Sequence, residues 1–174
     1  MLDGAGIPDP ANRFHTWIYR ARPDVNCIIH THPTHVAALS MLEVPLIVSH
    51  MDMCPLYDDC AFLKEWPGIP VGNEEGEIIS TALGNKRAIL LAHHGQLVVG
   101  RTIEEAGVLA ILTERAARLQ LLAMSAGEVR PVAHALAKEA HDWISTPKRE
   151  SVTFEYYARR ALRQHADCIA QSPD

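Results

Sequence analysis

The chain has 174 residues, 48% hydrophobic and 21% charged, with a formal net charge of −5, which is the size and balance of one folded domain and excludes a disordered chain, a collagen-like repeat and a disulfide miniprotein. No apolar run reaches the ~18–20 residues of a membrane span, and the acidic balance argues against a nucleic-acid partner, whose footprint is basic. The first residues lack the basic and apolar stretches of a secretory signal, and Cys27, Cys54, Cys60 and Cys168 show no C-x-x-C spacing, so reduced thiols in a cytoplasmic protein are expected. Ten histidines are many for this length, and seven fall between His15 and His94.

In chain order, Phe14, Trp17 and Ile18 recur at i, i+3 and i+4 until Arg22-Pro23 stops the run, which predicts a first helix. Residues 25–29 are rich in β-formers after a Pro-Asp turn and predict a buried strand that runs into His30-Thr31-His32-Pro33. A helix is expected over 34–42 and a short strand over 46–48. Residues 49–73, with Pro55, Pro67, Gly68, Pro70 and Gly72, read as a long ordered loop with short extended pieces. A helix over 74–83 closes at Gly84-Asn85. Residues 88–92 form the clearest strand, and 96–99 the next, with His94-Gly95 as the turn between them. Thr102 and Glu105 make a capping box for a long helix over 102–126, which Gly127 and Pro131 end. Further helices are expected over 131–143 and 151–166. No repeat or linker interrupts residues 1–170, and 171–174 read as a frayed tail. The fold class is therefore α/β, a single domain with a central β-sheet flanked by helices, its central strands near-continuous apolar runs.

Side chains at i and i+2 of a strand share a face, so His30 and His32 can converge on one point. His94 stands at the end of a second strand. Two adjacent strands presenting three histidines at one sheet end would build a His₃ centre with an open coordination position, as catalytic metal sites have. Three neutral imidazoles suit Zn²⁺ first, but also Mn²⁺, Fe²⁺, Co²⁺ or Ni²⁺.

Three motifs then carry a resemblance: Asn26-Cys27-Ile28-Ile29-His30-Thr31-His32-Pro33, Ile89-Leu90-Leu91-Ala92-His93-His94-Gly95, and Gly100-x-Thr102-Ile103-Glu104-Glu105-Ala106, preceded by Arg13-Phe14-His15 and Tyr19-x-x-Arg22-Pro23-Asp24. In this order and spacing the chain resembles the class II aldolase/adducin family, whose members include fuculose-phosphate aldolase, ribulose-phosphate 4-epimerase and the adducin head. The resemblance covers about residues 7–127. It implies a three-layer α/β/α fold, with His30, His32 and His94 as ligands of one divalent ion per subunit. It makes His93 a neighbour of the site, and His15 and His35 supporting residues. It implies a metal-dependent C–C lyase that stabilises an enediolate from a small hydroxy or keto substrate, or a decarboxylase on the same fold, or a non-catalytic adducin-like interaction module. It also implies a homotetramer with sites at subunit borders.

Two positions depart from the family. The carboxylate that serves there as acid/base lies four residues before the equivalent of His15; here that residue is Ala11, and Asp9 is the nearest substitute. Asp52, Tyr57, Asp58 and Asp59 in the irregular stretch are candidates by reach alone. The family's tyrosine after the second strand falls at Ser49, beside His50, and Tyr156 and Tyr157 lie on a C-terminal helix. The family's upstream helix and first strands have no counterpart before Met1, so the sheet is expected to be N-terminally short.

Overall fold

The computed structural model describes residues 11–68 and 73–168. Four strands, β1 (Cys27–Thr31), β2 (Cys60–Leu63), β3 (Ala88–Leu91) and β4 (Gln96–Gly100), form one mixed sheet in the order β1-β4-β3-β2. β4 is antiparallel to both β1 and β3, and β3 is parallel to β2. The two central strands, Ala-Ile-Leu-Leu and Gln-Leu-Val-Val-Gly, are buried at every position. Strands covered on both faces have no solvent side to place polar residues on, which is why no alternation shows in their sequence.

Alternate residues feed two layers. Ile89, Leu91, Leu97 and Val99 face helices α1 (Asn12–Ala21) and α3 (Glu74–Leu83), packing with Phe14, Ile18, Ile79 and Leu83. Ala88, Leu90 and Val98 face the other way, toward α2 (Thr34–Ser40) and α4 (Ile103–Met124), where Val36, Leu39, Leu109 and Ala117 meet them. The result is the three-layer α/β/α arrangement. Helices α5 (His134–Ile144) and α6 (Pro147–Gln164) complete the chain, and α6 lies along α4 with Phe154 against Gly107.

The long helix starts as its capping box predicts: Thr102 Oγ1 accepts from the Glu105 amide at 3.2 Å, and the Glu105 carboxylate accepts from the Arg101 amide at 2.7 Å. A second cap spans two elements. The Glu114 carboxylate on α4 accepts from the amides of His35 and Val36 at 3.1 and 2.9 Å, tying down the N-terminus of α2.

Several expectations need correction. Residues 46–48 are not a strand; their backbone is bound by a side chain, with the Ile47 amide donating to Gln120 Oε1 at 2.7 Å and Gln120 Nε2 donating to the Pro45 carbonyl at 2.9 Å. In the described part of 49–73, the expected ordered loop with short extended pieces also holds a helical turn. His50 Nδ1 caps a 3₁₀ segment, Met51–Leu56, by accepting from the Asp52 amide, and the apolar run Cys60–Leu63 pairs with β3 as the edge strand. Helix α6 starts four residues before the expected 151, because Pro147 occupies its first turn, where a missing N–H costs nothing. Asp9 and the tail 171–174 lie outside the described residues.

Candidate metal centre

β1 turns His30 toward α1, where its ring meets Phe14 edge-on at 5.0 Å, and carries His32 on the same side just past the strand end. The pairing Thr31↔Gln96 sets the end of β1 beside the start of β4, and the tight turn back to β3 carries His94 to the same place. The three rings then lie mutually edge-on, with centroids 4.6–4.8 Å apart. The ligand strands are not adjacent as expected. β4 folds back from β3 and takes the place beside it, so β1 pairs with the far edge of β4; the strands carrying the histidines still run in the same direction and end together.

The donor set fits a metal ion. His30 Nδ1 donates to the Gln96 carbonyl at 2.9 Å, which fixes the tautomer and leaves the Nε2 lone pair facing inward. His32 Nε2 lies 3.0 Å from His30 Nε2, and one ring nitrogen from each of His30, His32 and His94 falls within 4.8 Å of the others. An ion with bonds of about 2.0–2.1 Å holds tetrahedral ligands about 3.3 Å apart, so small ring rotations close the set. Burial, then the neighbouring His94, push the His30 pKa down to about 4 against the pull of the Gln96 carbonyl. Burial, then His32, also lower His94. Both rings are therefore neutral near pH 7, as ligands must be.

The surrounding residues divide clearly. His93, with φ of 55°, takes the left-handed turn position and points away, its Nε2 2.9 Å from Glu43 Oε1 and its amide donating to the Ser40 carbonyl. His35 Nδ1 bonds Glu114 at 2.6 Å on the opposite layer of the sheet. The roles of two residues went unnoticed in the sequence. Gly95 lets the turn approach His32: a Cβ there would lie 2.5 Å from His32 Cδ2 and 2.6 Å from the Thr31 carbonyl oxygen. Gln96, besides orienting His30, donates from Nε2 to Thr31 Oγ1 at 3.0 Å and to the Ala110 carbonyl at 3.2 Å, locking the strand ends to α4. The His-His-Gly-Gln order was the available signal for both.

The candidates offered by reach do not meet the triad. Asp59 immediately precedes β2, its carbonyl accepting from the Ala88 amide, so it sits at the start of β3 while the histidines lie beyond its end. There Asp59 binds Arg87 and Asp58 binds Lys86, while Tyr57 pairs with His134 of α5. Asp52 is held by Arg115 of α4 at 2.5 Å. Ser49 Oγ contacts Met53 Sδ at 3.5 Å, and Tyr156 and Tyr157 meet edge-on along α6. Ala11 sits at the head of α1 against the apolar core, with nothing on its side chain to carry a proton.

Comparison with known proteins accords with this architecture. Residues 2–121 match the family model described as Class II Aldolase and Adducin N-terminal domain. The chain is 28% identical over 163 residues to a 4-hydroxy-3-prenylphenylpyruvate oxygenase/4-hydroxy-3-prenylbenzoate synthase of Streptomyces roseochromogenus subsp. oscitans, covering 94% of this chain and 59% of that protein. It is 32% identical over 128 residues to Decarboxylase NovR of Streptomyces niveus, covering 74% of this chain and 47% of that one. The solved L-fuculose 1-phosphate aldolase from Glaciozyma antarctica PI12 superposes with a TM-score of 0.82 at 29% identity, over 95% of this chain and 65% of that chain. The chain thus spans about half to two-thirds of the length of these relatives. The chain belongs to the class II aldolase and adducin family.

Proposed function

We propose that this chain is a metal-dependent lyase that acts on a small hydroxy- or keto-carbonyl substrate, with His30, His32 and His94 holding one divalent ion, Zn²⁺ by preference. The observation that carries the reading is the convergence of three ligand nitrogens within 4.8 Å at one end of the sheet, in a set too small to close the coordination sphere. A bound divalent ion supplies a Lewis acid that polarises a carbonyl and offsets the negative charge left when an adjacent C–C bond breaks. The protein's own part is to keep His30 and His94 neutral through burial and to aim His30 through the Gln96 carbonyl.

Decarboxylation is the second reading, and Ala11 favours it. Aldol cleavage requires a base to take the substrate's hydroxyl proton, whereas loss of carbon dioxide requires none. Elemental analysis of protein purified without an affinity tag, beside a variant with all three histidines changed to alanine, tests the site. One equivalent of metal is expected in the first and none in the second; equal metal in both refutes the centre. Screening keto- and hydroxy-acids for released carbon dioxide against released aldehyde separates the two reactions. Silence in both, with no metal bound, favours an adducin-like interaction module. Assembly into a homo-oligomer belongs to the same reading.

A further inference from the structure

We propose that Glu75 is the proton donor of the histidine centre, delivering a proton to carbon when a C–C bond beside the centre breaks. The assignment rests on the metal-centre reading and names the acid that it lacks.

Glu75 lies in the first turn of α3 between Glu74 and Glu77, which are exposed as acids at a helix N-terminus usually are. Glu75 is only 5% exposed, and neither carboxyl oxygen has a hydrogen-bond partner among the described residues. The cause is the contact between α1 and α3. Gly76 has no Cβ, and one built there would lie 2.3 Å from Trp17 Cδ1, so the two helices approach closely and the stripe Glu75–Ile79–Leu83 is rolled inward. Ile79 and Leu83 pack with Phe14 and Ile18, and Phe14 in turn touches the His30 ring.

The direction of the helix decides where Glu75 sits. The C-terminal end of α3 leads through Gly84 and Lys86 into the start of β3, and Arg22 at the end of α1 donates to both their carbonyls, at 2.7 and 3.2 Å. The first turn of α3 is therefore at the opposite end of the sheet, where β3 runs out into His94. Glu75 extends the apolar stripe by one turn, about 6 Å beyond Ile79 along the helix. It is thus the polar residue of that stripe, on the layer that His30 faces and at the end where the histidines gather. Burial raises its pKa above the usual glutamate value, which favours the protonated carboxyl. A buried carboxyl with no partner costs stability and calls for a reason; with alanine at position 11, the centre needs an acid.

The step balances as follows. The C–C bond breaks and its electron pair stays on the carbonyl-bearing fragment. The O–H bond of Glu75 then breaks as its proton forms the new C–H bond, and the carboxylate recovers a proton from solvent. In reverse, the Glu75 carboxylate removes a proton from a carbon beside a carbonyl, and that proton exchanges with water.

The reverse step gives the test. Hydroxyacetone, a chelating α-hydroxyketone, is incubated in D₂O with the zinc-loaded full chain, and loss of its C–H signals is followed by proton NMR. Glu75→Gln is expected to slow exchange about 100-fold or more at unchanged zinc content, and Glu75→Asp to retain part of the rate. Equal rates in wild type and Glu75→Gln, or no exchange in wild type, overturn the assignment. A second measurement needs no turnover. The Glu75 carboxyl, labelled with ¹³C and assigned by its absence from Glu75→Gln or its shift in Glu75→Asp, is titrated with and without zinc. A dication close by lowers the midpoint, and His94→Ala abolishes that response; a midpoint that zinc leaves unmoved overturns the placement. Wild-type protein that takes up no zinc overturns the metal centre itself, and the donor assignment with it.

Discussion

Gly95→Ala is the sharpest test of how the fold aims its histidines. The new methyl would stand 2.5 Å from His32 Cδ2 and 2.6 Å from the Thr31 carbonyl, against about 3.4 Å for ordinary contact, so the ring or the strand end must give way by about 0.9 Å. Metal–nitrogen distances tolerate only about ±0.2 Å, so a displacement of that size removes or misdirects one of three ligands. Disturbed ligand orientation alone costs about 10–100-fold in metal affinity. Overpacking adds about 1–3 kcal/mol of lost stability in the metal-free protein. The assay is thermal unfolding with and without zinc, at zinc about 100 times the wild-type Kd, where the ion stabilises the folded state by about 2.7 kcal/mol. With 10–100-fold weaker binding the gain falls to about 0.4–1.4 kcal/mol by the same linkage, so the zinc-induced rise in Tm should drop to about half or less. A Gly95→Ala protein that is merely less stable, yet gains as much from zinc as wild type, refutes the claim that this glycine sets the position of His32.

The other end of the sheet makes separate predictions. Arg87, 19% exposed at its side chain, bonds Asp59, Glu105 and Glu150 at 2.5, 3.0 and 3.1 Å, so Arg87→Met removes the cation these three carboxylates share, leaving Glu105 with Arg101 alone, and should cost about 3–5 kcal/mol in denaturant unfolding. Metal content should stay unchanged in that variant, because the network lies at the start of β3 and the histidines beyond its end; loss of both together would contradict the separation. Acid should weaken the same network. Burial alone would raise the Glu105 pKa, but hydrogen bonds from the Arg101 amide and the Arg87 guanidinium prevail and hold it below the usual glutamate value. A depressed folded-state pKa stabilises above the unfolded value of about 4.3 and is lost as pH falls through the folded one. Urea midpoints should therefore decline below about pH 4.3, and less steeply in Glu105→Gln; matching slopes in the two proteins would exclude Glu105 as a contributor.

The residues that were legible in the sequence share a property: their role depends on local geometry. The His30–His32 spacing works because a strand alternates sides, and Thr102 caps because its partner is three residues away. What was hidden depends on distant partners. Residues 46–48 look like a strand, but their polar groups are taken by Gln120, about 75 positions along the chain. Glu75 is the instructive case. Glu74-Glu75-Gly76-Glu77 reads as a solvated helix start, favoured there by the helix dipole. Glu75, Ile79 and Leu83 stand at i, i+4 and i+8, but only the contact of Gly76 with Trp17 shows that this stripe, and not its neighbours, is the buried one.

Ala11 and Glu75 together bear on which bond the centre would break. Aldol cleavage asks for two proton transfers: a base takes the hydroxyl proton as the C–C bond opens, and an acid then protonates carbon. A single exposed carboxylate beside the metal can serve both, because it moves readily between its two states. Ala11 offers no such group, and its side chain is spent on the apolar core. Glu75, buried and without a hydrogen-bond partner among the described residues, has a raised pKa that favours its acid form and suits it to the second transfer, at carbon. A centre with an acid and, among the described residues, no base is matched to substrates whose leaving group departs without surrendering a proton, and carbon dioxide is such a leaving group. The expected outcome is that keto-acids with a carboxylate poised for loss turn over, while hydroxy-carbonyl substrates that need prior deprotonation do so only when a carboxylate is restored in the variant Ala11→Glu. Aldol cleavage by the unaltered chain at a rate that Ala11→Glu does not raise would show that the base comes from elsewhere and would break the link between these two positions and the choice of bond.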